Sequence, residues 1–299
     1  MTLHRFTFRA MAAENEVQVH SDDPRFAEAA AARAIAEVKR IEAKYSRYLA
    51  ESVVSRINRA AGAAAVPIDA ETHGLLTFAG ACHAQSEGAF DATSGVLRRA
   101  WRFDGERVPG DAELAPLLDL IGWQRVELGG DTVRLPLPGM ELDFGGFGKE
   151  YAVDRAALTL REMGAASALM NLAGDLAVLG AQPDGSPWRV GIRHPRRDAT
   201  LLATLPVSSG SIATSGDYER FIEVGGVRHC HILDPRTGRS VQSFQSVTVH
   251  AGSCLIAGSA STIAMLKGER QGLEWLDMLG LSHLCVRANG EIVDRFGPR

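Results

Sequence analysis

Cysteine is scarce and scattered in this chain. Cys82, Cys230, Cys254 and Cys285 are its only four among 299 residues, and no Cys-x-x-Cys pair occurs. That spacing excludes a disulfide framework and a zinc cage, and the four read as reduced, buried thiols. Long hydrophobic runs are missing too. Nothing before Glu14 has the apolar stretch of a secretory signal, and no Cys precedes Cys82 to carry a lipid, so a cytoplasmic location is expected. No segment approaches the roughly 18–20 apolar residues that cross a bilayer, so no membrane span is expected. Neither sign of charge dominates: 32 Lys and Arg stand against 36 Asp and Glu, for a net charge of -4. Without a basic stripe, nucleic acid is not an expected partner. What remains, 45% hydrophobic and 23% charged, suits a soluble globular enzyme able to bury a sizeable core.

No repeat or low-complexity linker divides the chain, so one interwoven α/β (α+β) domain over residues 1–299 is expected, with mixed or antiparallel sheets flanked by helices. Asp23-Pro24 starts a helix that runs to about Leu49, with Val38, Ile41, Tyr45 and Tyr48 on one stripe. Further helices are predicted over 71–87, 112–120, 147–163, 255–266 and 272–279. Ala168–Leu179, Trp188–Ile192 and Ser246–His250 read as strands, and Leu284–Phe296 as a hairpin turned at Asn289-Gly290. Pro136–Gly139 and Gln182–Pro187 read as surface loops.

The richest stretch is Ser208–Ser240, which holds a Ser/Thr/Gly turn, a hairpin and a His-x-x-Asp-Pro-x-Thr-Gly turn. Phe221–Val224 and Val227–Leu233 read as strands joined by Gly225-Gly226. Alternation puts Val227, His229, His231 and Leu233 on one face, with His231 at the strand end. Gly145-Gly146-Phe147-Gly148-Lys149 is not a Walker loop, because Glu150 follows where a Ser or Thr must bind magnesium, and a carboxylate there repels phosphate. A glycine-rich turn opening a helix still offers free N–H groups and the positive dipole end to an anion; tight helix–strand packing is the other use of such glycines.

TSGDY followed by HxxDPxTG resembles the C-terminal signature of the ApbE family, the FAD:protein FMN transferases. Tyr48, Ser52, Arg56 and Asn58 resemble its Tyr-x3-Ser-x3-Arg-x-Asn segment, and AFDATSG (Ala89–Gly95) its Phe-Asp-x-Thr-x-Gly stretch. LDFGGFGKEYAVDRA (Leu142–Ala156) is similar to its Asp-x-Gly-Gly-x-x-Lys-Gly-Tyr-Ala-x-Asp core, and NLAGDL (Asn171–Leu176) to its Gly-Gly-Asp segment. These motifs run in family order from about Met11 to Thr262. The resemblance implies FAD as substrate, an acceptor protein whose Thr or Ser receives FMN, and release of AMP. It implies nucleotide contacts from Met11, Tyr48, Ala89, Phe90, Asp91, Asp143, Gly145, Gly146, Lys149, Thr214, Ser215, Gly216 and Leu233. Met11 also reads as a strand residue of the core, Tyr48 as core packing and Asp143 as a turn cap at a strand end. His231 is the implied base, with Asp217 competing.

The chain departs from the family at the metal. The family's C-terminal helix begins Ala-Asp-Ala-x-x-Thr and holds Mg²⁺ through acids, the Thr and a backbone carbonyl of the Gly-Gly loop. Here Gly258 and Ser261 replace the acids, leaving the Gly146 backbone and Thr262. Magnesium is normally held through one or two carboxylates plus phosphate oxygens, so weak Mg²⁺ binding is expected, with Asp175 or Asp217 as substitutes. Three readings follow: a transferase, an FAD-binding protein without turnover, and a Mg²⁺-dependent FAD pyrophosphatase.

Overall fold

Strands β1 (Thr2–Ala10) and β2 (Ala13–Ser21) pair antiparallel through a two-residue turn in which Met11 and Ala12 have φ of 52° and 61°. The computed structural model describes residues 1–296, so the last three positions of the expected 1–299 domain lie outside the described residues. Met11 is thus a turn residue and not part of a strand; its N–H donates to Glu42 Oε1 at 2.6 Å.

Asp23 accepts the Arg25 N–H and Pro24 opens α1 (Pro24–Tyr45), as predicted. The helix ends before the expected Leu49. Ser52 needs an extended backbone to cap α2 (Val53–Arg59), which it does by accepting the Ser55 N–H, so the chain turns over residues 46–51. Tyr48 therefore leaves the helical stripe and is 73% exposed. β3 (Val66–Pro67) precedes α3 (Ala70–Gln85), capped by Asp69. α4 (Asp111–Leu118) follows, and β4 (Glu127–Leu128) and β5 (Thr132–Arg134) join β3 in a small sheet.

After α5 (Gly148–Glu162), the segment read as one strand is two, β6 (Ala168–Leu172) and β7 (Asp175–Leu179). Ala173 and Gly174, at φ 52° and 96°, reverse the chain between them, and Gly174 N–H donates to Asn171 Oδ1. β8 (Trp188–Arg193) pairs with β9 (Leu201–Val207), a strand the sequence reading left out. The Ser/Thr/Gly stretch turns only at its start and then becomes β10 (Gly210–Gly216), flanked in the sheet by β7 and by the strand Phe244–Ala251. Neighbours on both sides satisfy its backbone, and buried Ile212 and Ala213 favour the extended form.

The hairpin β11 (Phe221–Val224) and β12 (Val227–Cys230) is as expected but shorter, leaving His231 beyond the strand end. β13 (Phe244–Ala251), α6 (Cys254–Lys267), α7 (Glu269–Met278), β14 (Ser282–Arg287) and β15 (Ile292–Asp294) complete the chain.

The main sheet has the order β1-β2-β6-β7-β10-β13-β14-β15, with every pairing antiparallel. Side-chain alternation divides its apolar residues between two layers. Val17, Val19, Met170, Ala177, Val247 and Val249 join the core beneath α1, α5 and α6. Leu169, Leu176, Val178 and Ile212 face the other way, against Trp188, Val190 and Leu205 of the β8–β9 hairpin. Each fully buried aliphatic here contributes about 1.5–3 kcal/mol. All four cysteines are buried and unpaired. No helix among the described residues is long and apolar enough to cross a membrane.

Candidate active site

Three motif segments meet around Asp143. Asn58 donates to the Leu142 carbonyl at 2.9 Å and accepts the Leu142 N–H at 2.7 Å. Asp143 N–H donates to Ala92 O at 2.8 Å, and a Cβ at Gly95 would come within 2.6 Å of the Asp143 Cβ, so only glycine permits this approach. Asp143 lies in irregular backbone, not at a strand end, because Asn58 and Ala92 take the hydrogen bonds a strand partner would make. Its carboxylate caps the Gly145 N–H at 2.9 Å and pairs with Arg47. The next turn is anchored from below: Phe147 packs against Phe144, Phe90 and Phe78. It delivers the chain into α5 with no side chain capping the first turn; the Gly148 N–H returns to Phe144 O at 2.6 Å, and the positive end of the helix dipole faces the loop.

Lys149 and Glu150 open α5. Lys149 Nζ lies 2.6 Å from Asp175 Oδ2, and Thr214 N–H donates to Asp175 Oδ1 at 3.0 Å. Glu150 does not face an anion at the loop as expected. It is 7% exposed, turned inward against α6, and its Oε2 has no hydrogen-bond partner. Burial first, and then the charge of Asp175, push its carboxyl above the usual carboxylate range, against the pull of Lys149. On α5 one turn later, Asp154 accepts the N–H groups of Cys254 and Leu255 at 2.7 and 2.9 Å, locking the start of α6 to α5. Along α6, Thr262 Oγ1 and Ser261 Oγ both meet Ser215 Oγ, at 2.9 and 2.8 Å. Thr214, Asp175, Lys149, Glu150, Gly258, Thr262 and Ser215 thus form a closed circuit of contacts.

His231 stands on the turn beyond β12. Its N–H donates to Arg220 O at 3.0 Å, and the turn is built by Asp234, which accepts from Arg236 N–H while Gly238 N–H returns to Asp234 O. Trp101 Nε1 donates to Gly238 O at 2.7 Å and so ties the turn to the cluster beneath the hairpin. The residue is exposed, yet desolvation by the surrounding protein, with the charges of Arg220 and Lys149, lowers the imidazole pKa; a hydrogen bond to the Arg220 backbone and the charge of Glu219 oppose. Arg220 also acts on Tyr48, whose hydroxyl accepts from Arg47 at 3.0 Å. Tyr48, Arg47, Asp143, Arg220 and His231 are therefore linked through these charges.

Other predicted residues serve the frame. Ala89 and Phe90 are buried, and the Asp91 carboxylate accepts the N–H groups of Thr93 and Trp123. Leu233 bridges to Ser240, and Gly216 is buried at the end of β10. Asp217 has both oxygens held by Arg196, at 2.7 and 2.6 Å. Sequence reasoning missed Arg47 and Arg220, isolated arginines with no spacing signal. It also missed the inward turn of Glu150, for which the only sign was a Glu where the family has Gly.

A model described as the ApbE family matches residues 11–285. The chain is 36% identical over 251 residues to an FAD:protein FMN transferase of Klebsiella pneumoniae, covering 82% of this chain and 78% of the relative. It is 31% identical over 242 residues to one of Vibrio cholerae serotype O1, covering 79% and 72%. The crystal structure of the ApbE protein from Thermotoga maritima superimposes with a TM-score of 0.89 at 32% identity, covering 99% of this chain and 97% of that one. The apo flavinyl transferase ApbE of Pseudomonas stutzeri superimposes with a TM-score of 0.86 at 30% identity, covering 97% and 93%.

Proposed function

The chain belongs to the ApbE family, and from that membership we propose that it is an FAD:protein FMN transferase acting through the circuit around Lys149 and the His231 turn. One observation carries the assignment of roles: an uncapped helix start, a lysine and a pKa-lowered histidine share one electrostatic neighbourhood. A Thr or Ser hydroxyl of the acceptor protein attacks the FMN-side phosphorus of FAD. The new P–O bond forms as the bond to the AMP phosphate breaks, and the hydroxyl proton passes to a base.

His231 is that base. Its lowered pKa keeps the imidazole neutral near pH 7, and its exposure lets an acceptor reach it. Asp217 is the weaker choice, because Arg196 occupies both of its oxygens. Lys149 and the first turn of α5 face the pyrophosphate charge, and the Asp143 loop with Tyr48 receives the nucleotide. The resemblance adds Mg²⁺ held by the Gly146 carbonyl and Thr262. A buried carboxylate oxygen without a partner, Oε2 of Glu150, is a donor that such a cation requires. When bound, the cation supplies positive charge to the pyrophosphate oxygens.

Incubation with FAD, Mg²⁺ and a flavinylation peptide should yield AMP and a peptide heavier by FMN. AMP with free FMN and an unmodified peptide would make the protein a pyrophosphatase; FAD binding without AMP would make it a binding protein. His231→Ala should lower AMP release about a hundredfold with FAD affinity nearly unchanged. The neutral imidazole is the active form, so the rate should fall as pH drops, with its midpoint below the usual imidazole value of about 6.5. A lost FAD affinity with unchanged turnover would make His231 a binding residue.

A further inference from the structure

The circuit around Lys149 contains a buried acid, Glu150, whose position is dictated by the glycine opposite. A Cβ built on Gly258 would lie 2.4 Å from Glu150 Cγ and 3.0 Å from both Cδ and Oε1. The Glu150 side chain thus fills the space that any side chain at position 258 would occupy, and the two are mutually exclusive. This chain departs from its family's pattern at both positions together, with Glu150 where the core motif has Gly and Gly258 where the α6 motif has Asp.

We propose that Glu150 is the carboxylate ligand of this divalent-cation site, an acid transferred from α6 to α5, with Asp175 joining the Gly146 carbonyl and the Thr262 hydroxyl as the other protein donors. The inference rests on the transferase reading only for the phosphate oxygens that would complete the shell; the protein donors stand on geometry.

Three observations support it. Glu150 Oε2 is buried without a partner, and a buried carboxylate oxygen is costly unless a cation or donor meets it. One ammonium, Lys149, faces two carboxyl groups, and its Nζ is committed to Asp175 at 2.6 Å, so Glu150 has no cation held to it. The donors are also fixed relative to one another. Asp154 clamps α5 to α6, Ser215 holds the Thr262 hydroxyl, and Thr214 beside it holds Asp175. Thr262 lies one helical turn after Gly258, on the face that Glu150 covers. Two carboxylates and a hydroxyl form a hard oxygen set, suited to Mg²⁺ or Mn²⁺ and poor for zinc.

The test uses Mn²⁺ as probe, read by electron paramagnetic resonance and calorimetry on the full chain, with and without FAD. Wild type should bind one Mn²⁺ that Mg²⁺ displaces. Glu150→Gln keeps the shape and should weaken Mn²⁺ binding roughly tenfold or more, because ligand charge sets affinity. The variant should still unfold cooperatively in EDTA, which separates loss of a ligand from loss of the fold. The second measurement is the exchange itself. Gly258→Asp alone should lower Tm, because its Cβ strikes Glu150, whereas Gly258→Asp with Glu150→Gly should recover most of the Mn²⁺ affinity that Glu150→Gly loses. Wild-type Mn²⁺ affinity in Glu150→Gln, or a folded double variant no better than Glu150→Gly, would overturn the proposal. Failure of the transferase reading is distinct: FAD would not bind the wild type, while Mn²⁺ binding without FAD would still respond to Glu150.

Discussion

Two acid clusters in this molecule are built from the same residue types and end in opposite states. On the surface between α1, α3 and α5, Glu37, Glu71 and Asp69 face Arg40, Arg155 and Lys44, at distances of 2.5 to 3.0 Å. Every acid has its own cation, and the Glu71 carboxyl is held far below the usual range, chiefly by the hydrogen bond from Arg40. At the start of α5, Glu150 and Asp175 share one lysine, and burial drives the Glu150 carboxyl upward. The difference lies in stoichiometry and burial, not in composition. A matched, partly exposed network is structural, with each pair worth little. A buried set with one cation for two acids leaves a carboxyl group unmatched, which a bound cation can meet.

Lys149→Met should give the largest effect, because it removes the one counter-charge from the buried set. Asp175, almost fully buried, would lose its partner, which should cost about 3 kcal/mol in EDTA. Added Mg²⁺ or Mn²⁺ should return part of that stability, and AMP release should fall a hundredfold or more. Urea denaturation with and without EDTA checks the first part. Unchanged stability in EDTA would mean that the two acids are neutralised by something other than Lys149, and the contrast would collapse.

How far this was legible in the sequence varies by residue. The capped start of α1, the β11–β12 hairpin at Gly225-Gly226 and the last hairpin rest on local turn and cap chemistry, and they were readable. Tyr48 was misplaced because helical spacing continues past Tyr45, while the competing cap at Ser52 lies outside the stripe. The β6–β7 turn was hidden because apolar segments flank Ala173-Gly174 on both sides, and Asn171, which caps the corner, continues a strand-like pattern. In the site, the motif residues were identifiable but their division of labour was not. Asn58 and Gly95 support the backbone around Asp143, and Asp91 holds that of Thr93 and Trp123, tasks visible only when distant segments meet. Glu150 looked like an obstacle to phosphate because its inward turn depends on a glycine more than a hundred residues away.

Between the two extremes stands Arg47 with Asp143, one acid and one base, both half-buried. Arg47→Met should cost about 1–2 kcal/mol, between an exposed and a buried pair. Because Asp143 also caps the Gly145 N–H, the loop should loosen and FAD affinity should drop several-fold, measured by flavin fluorescence quenching. An intact FAD affinity would place Asp143 in the frame alone.

The smallest effect should come from the matched cluster. Glu71→Gln removes one acid from a network in which Arg40 retains Glu37 and Lys44 retains Asp69, so the loss at pH 7 should stay near or below 1 kcal/mol, with AMP release unchanged. The sign with pH follows from the lowered carboxyl of Glu71. The folded state holds the ionised form more strongly than the unfolded chain does. Its contribution is therefore present above the unfolded value of about 4.3 and is lost as pH falls through the folded one. The gap between wild type and Glu71→Gln should accordingly close as urea midpoints are followed from pH 7 toward pH 2. A gap that stayed constant with pH would show that Glu71 stabilises through the geometry of its hydrogen bond from Tyr151 and not by charge, and the two clusters would then differ in more than their balance of ions.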